Sequence, residues 1–454
     1  MRIMVDQAIP TAAGLFARLG EVHSFDGRSL RAADVADADA LIVRSVTRVD
    51  AALLAGSTVR FVGTATSGTD HVDEAWLARE GIRFAAARGC NARPVAEYVL
   101  TAILWLARQR RFDPRSKTLG VVGVGHTGSL VARWAQALGM EVRLCDPPLQ
   151  NAGSLPLPPL GGGTEGGALR PQHSTPPSPR REPGVPPQSI ANAPPPRWCC
   201  QSELLAQSDI ITLHVPLSLA GPYATREMVN SGWLAAMRPG GMLINTARGE
   251  VVAESAVIEA RRSGRLSGLV VDVWTGEPAI NERLAAACDI ATPHIAGYSV
   301  EAKRRAVSMI YDALAADPSR AREQAATAPS RDHEQTETPA TDERPLSHGR
   351  GSDPSRGSQI AAEPPSRGPE QAASPPGRDI PAMLDALQTG CPLPNIDAQL
   401  RSAIAEGALV ERFDALRAAL GQRREFPDHR LNAVQFSPAD AEYLTRLGFR
   451  WETA

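Results

Sequence analysis

Short runs of Val, Ile and Leu recur along this chain, and most are separated by segments whose apolar residues fall at helical spacing. Apolar strands joined by helical crossovers pair in parallel and need cover on both faces, which leaves few architectures open. Within residues 1–93 the runs are RIMVD, ALIVRS and VRFVGTA, with helical stretches such as PTAAGLFARLG between them. Residues 94–113 then read as one long apolar helix with Pro94 in its first turn. A second series follows: TLGVVGVG, EVRLCD, SDIITLHVP, GGMLINTA, LSGLVVDVW and DIATPHIA. The pattern predicts an α/β chain with two doubly wound parallel-sheet domains.

Two stretches break the pattern. Of the 38 prolines, 13 fall within residues 151–200 and 11 within 317–381. Both stretches mix Pro, Gly and Ser without a period and cannot bury enough apolar surface to offset the entropy of ordering. Residues 150–200 are therefore expected to be a disordered insertion, and 316–381 a disordered linker. Residues 382–454 form a small last region with helical pieces such as LRSAIAEGALVERFDALRAAL. A net charge of −2 gives no reason to expect nucleic acid or a membrane surface as a partner. No apolar run approaches the roughly 20 residues of a membrane span, and MRIMVDQAIP reads as a first strand, not a secretion signal. The six cysteines form no C-x-x-C pair and read as reduced thiols, with no metal site expected. A cytoplasmic location follows as the expectation. Lys117 and Lys303 are the only lysines, and neither lies in a recognisable motif.

The segment Gly123-Val124-Gly125-His126-Thr127-Gly128 fits G-x-G-x-x-G, after the strand LGVV and at the start of a helix. Gly123 permits the tight turn, Gly125 admits a pyrophosphate close to the backbone, and Gly128 lets the helix pack on the strand. The pyrophosphate then meets free N–H groups at the helix N-terminus. The next strand ends at Asp146, 18 residues after Gly128, near the acidic position that accepts from an adenosine ribose. A carboxylate there repels a 2′-phosphate, so NAD is the expected cofactor. The second series thus reads as a Rossmann-type nucleotide domain, and the first as a flavodoxin-like sheet.

Three later segments sit at C-terminal ends of strands, where open α/β sheets bind ligands. In Asn245-Thr246-Ala247-Arg248-Gly249, Arg248 can fork onto a carboxylate. In Asp272-Val273-Trp274-Thr275-Gly276-Glu277-Pro278, Asp272 ends a buried strand, from which it can reach the nicotinamide side of a cofactor, and Glu277 follows the turn. In Thr292-Pro293-His294-Ile295-Ala296-Gly297-Tyr298, His294 lies 17 residues after Glu277. A His held by a carboxylate and facing a carboxylate-binding Arg is a proton-transfer device. Order and spacing alone do not bring the three together in space.

The set GVGHTG, CDPP, NTARGE, DVWTGEP and TPHIAGYS resembles the D-isomer-specific 2-hydroxyacid dehydrogenases. The likeness covers about 1–149, 201–315 and, more loosely, 382–454. It implies that Arg248, Glu277 and His294 are catalytic. It also implies that His126, Thr127, Asp146, Val215, Thr246, Ala247, Arg248, Asp272 and Gly297 contact NAD, and that Ser45, Thr66 and Tyr298 contact substrate. Val215 stands where the family usually shows Thr, and DQAIP replaces DENxP; neither change removes a catalytic group. The stretches IVRSVTRVD, FVGTATSGTDHVD and GCNARPVAEYV favour a branch acting on a small phosphorylated 2-hydroxy acid. Arg44 and Arg93 are the candidates for its phosphate. The implied layout is a substrate domain at 1–93 completed by 296–315, an NAD domain at 94–295, and a region at 382–454 that builds a homodimer. Two other readings stay open: a dehydrogenase of another hydroxy acid such as 3-phosphoglycerate, and a non-catalytic NAD(H)-sensing interaction protein.

Overall fold

The computed structural model describes residues 1–151, 153, 194–316, 379–419, 422–432 and 435–452. Most of the insertion and linker expected above therefore lies outside the described residues. The first sheet has five parallel strands in the order β2-β1-β3-β4-β5. They are β1 (Arg2–Asp6), β2 (Glu21–Phe25), β3 (Ala40–Val43), β4 (Phe61–Thr64) and β5 (Arg83–Ala86). That is the flavodoxin-like order, with its switch point between β1 and β3.

The second sheet has seven parallel strands in the order β12-β11-β10-β9-β6-β7-β8. They are β6 (Thr118–Val122), β7 (Glu141–Cys145), β8 (Arg197–Trp198), β9 (Ile210–Leu213), β10 (Gly241–Asn245), β11 (Leu266–Val271) and β12 (Ile290–Ala291). Read outward from β6, this is the Rossmann order, with its switch point between β6 and β9.

Strands β3, β4, β9 and β10 are buried along their whole length, as strands covered on both faces must be. The last region adds an unexpected parallel pair, Arg430–Leu431 with Arg450–Trp451. Within the two large sheets the strands absent from the sequence expectation are β2, β5 and β8, and all three lie on sheet edges. Their sequences EVHSF, RFAA and RW are partly exposed and carry no apolar run. β8 also corrects the boundary of the insertion. Pro147–Asn151 is helical, Arg197 and Trp198 pair with β7, and Cys199 is buried. The linker is likewise shorter at its end, because a helix spans Ile380–Gly390 with Asp379 as its N-cap. The stretch PTAAGLFARLG is helical only over Ala12–Phe16.

The helix Ala92–Arg110 is buried almost throughout. A helix apolar all round needs cover on every side. Part of that cover comes from the end of the chain: Met383, Leu384, Leu387, Leu393, Ile396 and Phe426 share one core with Val99, Leu100, Ile103 and Leu106. The helix Val300–Ala315 instead joins the first sheet, packing Ala306, Val307, Ile310 and Leu314 with Ile3, Val5, Ile42 and Phe61. The outer edge of β12 is covered by the last region, where Asp397 accepts from the Ala291 N–H at 2.8 Å. No described helix is long and apolar enough to cross a membrane.

One buried arginine ties the last region to both segments that connect the sheets. Arg423 donates to the carbonyls of Pro94 (3.1 Å), Ala296 (3.2 Å) and Gly390 (3.0 Å), and to Glu97 Oε2 (3.0 Å). Glu97 Oε1 accepts in turn from the Phe426 N–H at 2.9 Å. Removing one partner of a buried pair leaves the other charge uncompensated. Arg423→Ala is therefore expected to destabilise the fold by about 3–5 kcal/mol, measured by urea unfolding. Adding Glu97→Gln to it should recover part of the loss.

Candidate active site

The ends of three adjacent strands carry the predicted trio. In the sheet register Asn245 pairs with Val271, and Val271 with Ala291, so the loops after β10, β11 and β12 emerge side by side. Arg248 follows the first strand by three residues, Glu277 the second by six, and His294 the third by three. Glu277 and His294 meet directly: His294 Nδ1 lies 2.9 and 3.1 Å from the two carboxylate oxygens. Burial alone would push the Glu277 carboxyl up. The hydrogen bond and charge of His294, the Trp274 N–H and the Arg417 charge hold it below the usual carboxylate range.

The His294 backbone has φ of 56°, in the left-handed region that non-glycine residues rarely adopt. Asp272 maintains that turn. Its fully buried carboxylate accepts from the N–H groups of Ile295 (2.8 Å) and Ala296 (2.9 Å) and from the Thr292 hydroxyl (2.6 Å). Tyr98 Oη, from the long helix, reaches the same Thr292 hydroxyl at 2.7 Å. Asp272 is thus first of all the residue that shapes the His294 loop, a role its sequence position did not reveal.

Arg248 is positioned from both sides. Asn245 bridges its loop, donating to the Arg248 carbonyl (3.0 Å) and accepting from the Ala247 N–H (3.0 Å). Arg248 Nε donates to Asp70 at 2.8 Å, in the loop after β4 of the other sheet. Its Nη2 lies against Gly68, where an added Cβ would sit 1.8 Å away. The same loop holds Thr66, whose hydroxyl donates to the Gly68 carbonyl (3.0 Å) and meets Thr64 (2.7 Å). His71 closes this network through Nε2 on the Thr64 hydroxyl at 3.0 Å. Ser45 is exposed beyond β3, beside Arg44, whose Nε donates to the buried Asp6 at 3.0 Å. Asp6 ends β1 and Arg44 follows β3, so this pair marks the switch point of the first sheet.

The switch point of the second sheet holds the glycine motif. Gly123 has φ of 86°, and a Cβ there would come within 2.7 Å of the His214 carbonyl, beside Val215. Gly128 abuts the Gly123 carbonyl. A Cβ on Gly125 would instead project into open space, as a cradle for a pyrophosphate requires. The helix His126–Leu138 opens there, with His126 exposed and set against Gly89 of the first sheet's last loop. Asp146 binds the loop itself, accepting from the N–H groups of Val124 (2.8 Å) and Leu149 (3.2 Å). Among the described residues the buried Thr246 hydroxyl has no hydrogen-bond partner, an unsatisfied polar group in the loop after β10. These features fit a dinucleotide lying across the ends of the strands.

Tyr298 lies four residues beyond His294, and its hydroxyl accepts from Arg417 at 2.7 Å. Arg417 belongs to the last region, on the helix Leu409–Ala419. Asp70, His71, Asn245 and Arg417 are the neighbours that sequence reasoning missed. The first two lie in the quoted stretch FVGTATSGTDHVD, but only folding brings them to Arg248. Arg93, one of the two candidates for the phosphate, is engaged elsewhere. It donates to the Leu447 carbonyl at 3.0 Å and lies over the Trp134 ring at 5.3 Å.

Residues 96–155 and 185–296 match the D-isomer specific 2-hydroxyacid dehydrogenase, NAD binding domain, with the gap inside the proline-rich insertion. The chain belongs to the D-isomer specific 2-hydroxyacid dehydrogenase family, and its second sheet forms the NAD-binding domain. Its curated relatives include the erythronate-4-phosphate dehydrogenase of Sodalis glossinidius, 44% identical over 70% of this chain and 73% of the relative. That of Edwardsiella ictaluri is 44% identical over 69% of this chain and 73% of the relative. Within the family the chain belongs with these erythronate-4-phosphate dehydrogenases. Among solved structures, the NAD-dependent formate dehydrogenase of Staphylococcus aureus in complex with NAD shares the fold. Its TM-score is 0.53 at 22% identity, covering 69% of this chain and 95% of that one. The D-lactate dehydrogenase of Aquifex aeolicus, complexed with NAD and lactic acid, gives 0.51 at 22% identity, covering 71% and 97%.

Burial first, and then the Arg248 charge, push the His71 imidazole down to about 4, against the pull of Asp70. The unfolded chain therefore takes up this proton first. Stability contributed by neutral His71 is complete above pH 6.5 and is lost as pH falls toward about 4. The slope is up to about 1.4 kcal/mol per pH unit. His71→Gln keeps a partner for Thr64 and removes the titration. Its urea midpoint should fall less steeply with acid across that window than the parent's, and parallel curves would refute the assignment.

Proposed function

We propose that the protein oxidises 4-phospho-D-erythronate to 2-oxo-3-hydroxy-4-phosphobutanoate with NAD, a step of pyridoxal 5′-phosphate biosynthesis. The observation that carries the chemistry is the Glu277–His294 pair, bidentate at 2.9 and 3.1 Å, beside the loop of Arg248. Bound NAD supplies the acceptor for the hydride that leaves C2. Donation from Nδ1 to Glu277 fixes the imidazole tautomer and leaves the lone pair on Nε2. His294 Nε2 then takes the proton of the C2 hydroxyl, and the Glu277 carboxylate stabilises the resulting imidazolium. Arg248 retains N–H groups beyond those given to Asp70 and the Ala247 carbonyl. These bind the substrate carboxylate and polarise the forming carbonyl.

In this reading Gly123, Gly125 and Gly128 form the pyrophosphate turn, with His126 and Thr127 at the helix start. Asp146 lies at the adenosine ribose, while Val215, Thr246, Ala247, Asp272 and Gly297 line the rest of the cofactor. Ser45, Thr66 and Tyr298 contact the substrate. The substrate domain spans 1–93 with 296–315, and the NAD domain 94–295. The working form is a cytoplasmic homodimer built by the C-terminal region, which sedimentation equilibrium tests.

The activity is tested with NAD, a 2-oxo acid acceptor, and either 4-phospho-D-erythronate or 3-phospho-D-glycerate. A far higher kcat/KM on the erythronate is expected. Preference for the glycerate overturns the substrate, and turnover of neither with NAD still bound favours a sensing protein. His294→Ala should lower kcat by roughly 10²–10⁴-fold with little change in NAD affinity. Activity surviving within a fewfold would remove His294 from proton transfer.

A further inference from the structure

We propose that Asp70 and Gly68, in the loop after β4, are positioning residues for Arg248, so that the first sheet directs the guanidinium that the second sheet supplies. The inference rests on the reaction proposed above, in which Arg248 binds the substrate carboxylate and polarises the forming carbonyl.

A guanidinium carries five N–H groups in a rigid plane, so fixing two of them fixes the direction of the rest. Arg248 Nε donates to Asp70 Oδ2 at 2.8 Å, and Nη1 donates to the Ala247 carbonyl at 2.7 Å. Among the described residues no acceptor meets the other three N–H groups. A second carboxylate, that of the substrate, then encounters a fork whose plane is already set. Gly68 guards the other end of the group. A Cβ there would lie 1.8 Å from Nη2, 3.1 Å from Cζ and 3.2 Å from Asp70 Oδ2. Any side chain at position 68 would occupy the place of the guanidinium itself.

The loop that carries both residues is held from several directions. The Thr66 hydroxyl donates to the Gly68 carbonyl at 3.0 Å, and the Ser67 hydroxyl accepts from the Gly89 N–H at 3.1 Å. The Val72 N–H donates to the Thr69 carbonyl at 2.9 Å, and the His71 carbonyl accepts from the Val49 N–H at 2.8 Å. Gly89 in turn packs on His126, at the start of the glycine-motif helix. One loop of the first sheet thus reaches Arg248 through Asp70 and the dinucleotide turn through Gly89.

Fold stability does not account for the pair. The side chains of Arg248 and Asp70 are 31% and 39% exposed, and an ion pair in that setting contributes little to stability. Asn245 already holds the Arg248 backbone from its own sheet. What Asp70 adds is the direction of a long side chain that would otherwise sample many rotamers.

Asp70→Ala should lower kcat/KM on 4-phospho-D-erythronate by roughly 10- to 100-fold, with kcat falling as well as KM rising, because a misplacement of about 1 Å can cost on the order of 10²-fold. Its Tm and its affinity for NAD should stay those of the parent. Asp70→Asn keeps an acceptor for Nε and should recover most of the loss. Gly68→Ala leaves Asp70 in place and displaces only the end of a flexible side chain. It should fold as the parent does, reproduce the fall, and decide the matter if Asp70→Ala folds poorly. Oxamate, a non-reacting carboxylate analogue of a 2-oxo acid, gives a readout without turnover. It should bind the NADH complex of the parent and bind those of Asp70→Ala and Gly68→Ala roughly 10-fold more weakly. Activity within a fewfold of the parent in Gly68→Ala, or Asp70→Asn as impaired as Asp70→Ala, overturns the positioning role. A parent protein that binds oxamate with this dependence on Asp70 and Gly68 but oxidises no erythronate overturns the reaction and keeps the role.

Discussion

The buried carboxylate of Asp272 is the constraint on which the site depends. Two backbone N–H groups and one hydroxyl converge on it at 2.6–2.9 Å, folding residues 292–296 into a tight turn. That turn holds His294 in a backbone region that costs on the order of 1–3 kcal/mol for a side-chain-bearing residue. Strain of this kind persists only where the surroundings over-determine it. Here Thr292 is fixed a second time by Tyr98, and the Trp274 indole donates to the Thr292 carbonyl at 2.9 Å. The imidazole is thereby presented to Glu277, whose own carboxylate accepts the Trp274 N–H at 3.0 Å. A proton-transfer pair built this way is organised before any ligand arrives.

Parallel sheets explain why these loops exist where they do. Each strand must return by a crossover, so all the C-terminal strand ends of a sheet open on the same side. At the switch point, neighbouring crossovers run to opposite faces and leave a crevice. The first sheet places Asp6 and Arg44 at its crevice, and the second places Gly123 against His214 and Val215. The ion pair between Asp70 and Arg248 joins the loops of the two sheets, so the state of one crevice is felt by the charged group of the other.

The last region of the chain acts on this arrangement through charge. Arg423 accounts for four acceptors inside the fold, among them carbonyls at both connections between the sheets. Glu425 receives Arg305 and the Ser299 hydroxyl, so the start of the returning helix is held from the same segment. A buried network of this kind is strong only when every member is satisfied, and it fixes geometry more than it adds stability. Residues far along the chain thus set the orientation of the segment that carries His294 and Tyr298.

The sequence by itself determined the alternation of strand and helix in both sheets, because strands buried on two faces must be continuous apolar runs. It also located the dinucleotide turn, since Gly123 and Gly128 occupy positions where any side chain would collide with backbone. The trio Arg248, Glu277 and His294 was legible as strand-end residues, but not as a constellation. Edge strands β2, β5 and β8 were hidden, because half-exposed backbone places no demand on apolar side chains. Only the tertiary structure decided which residues surround the trio. Asp70 lies 178 positions from Arg248, and Arg417 lies 119 from Tyr298. Nothing local in the chain records such pairs. A charged residue at the surface and one that completes a site differ only in what the fold brings against them.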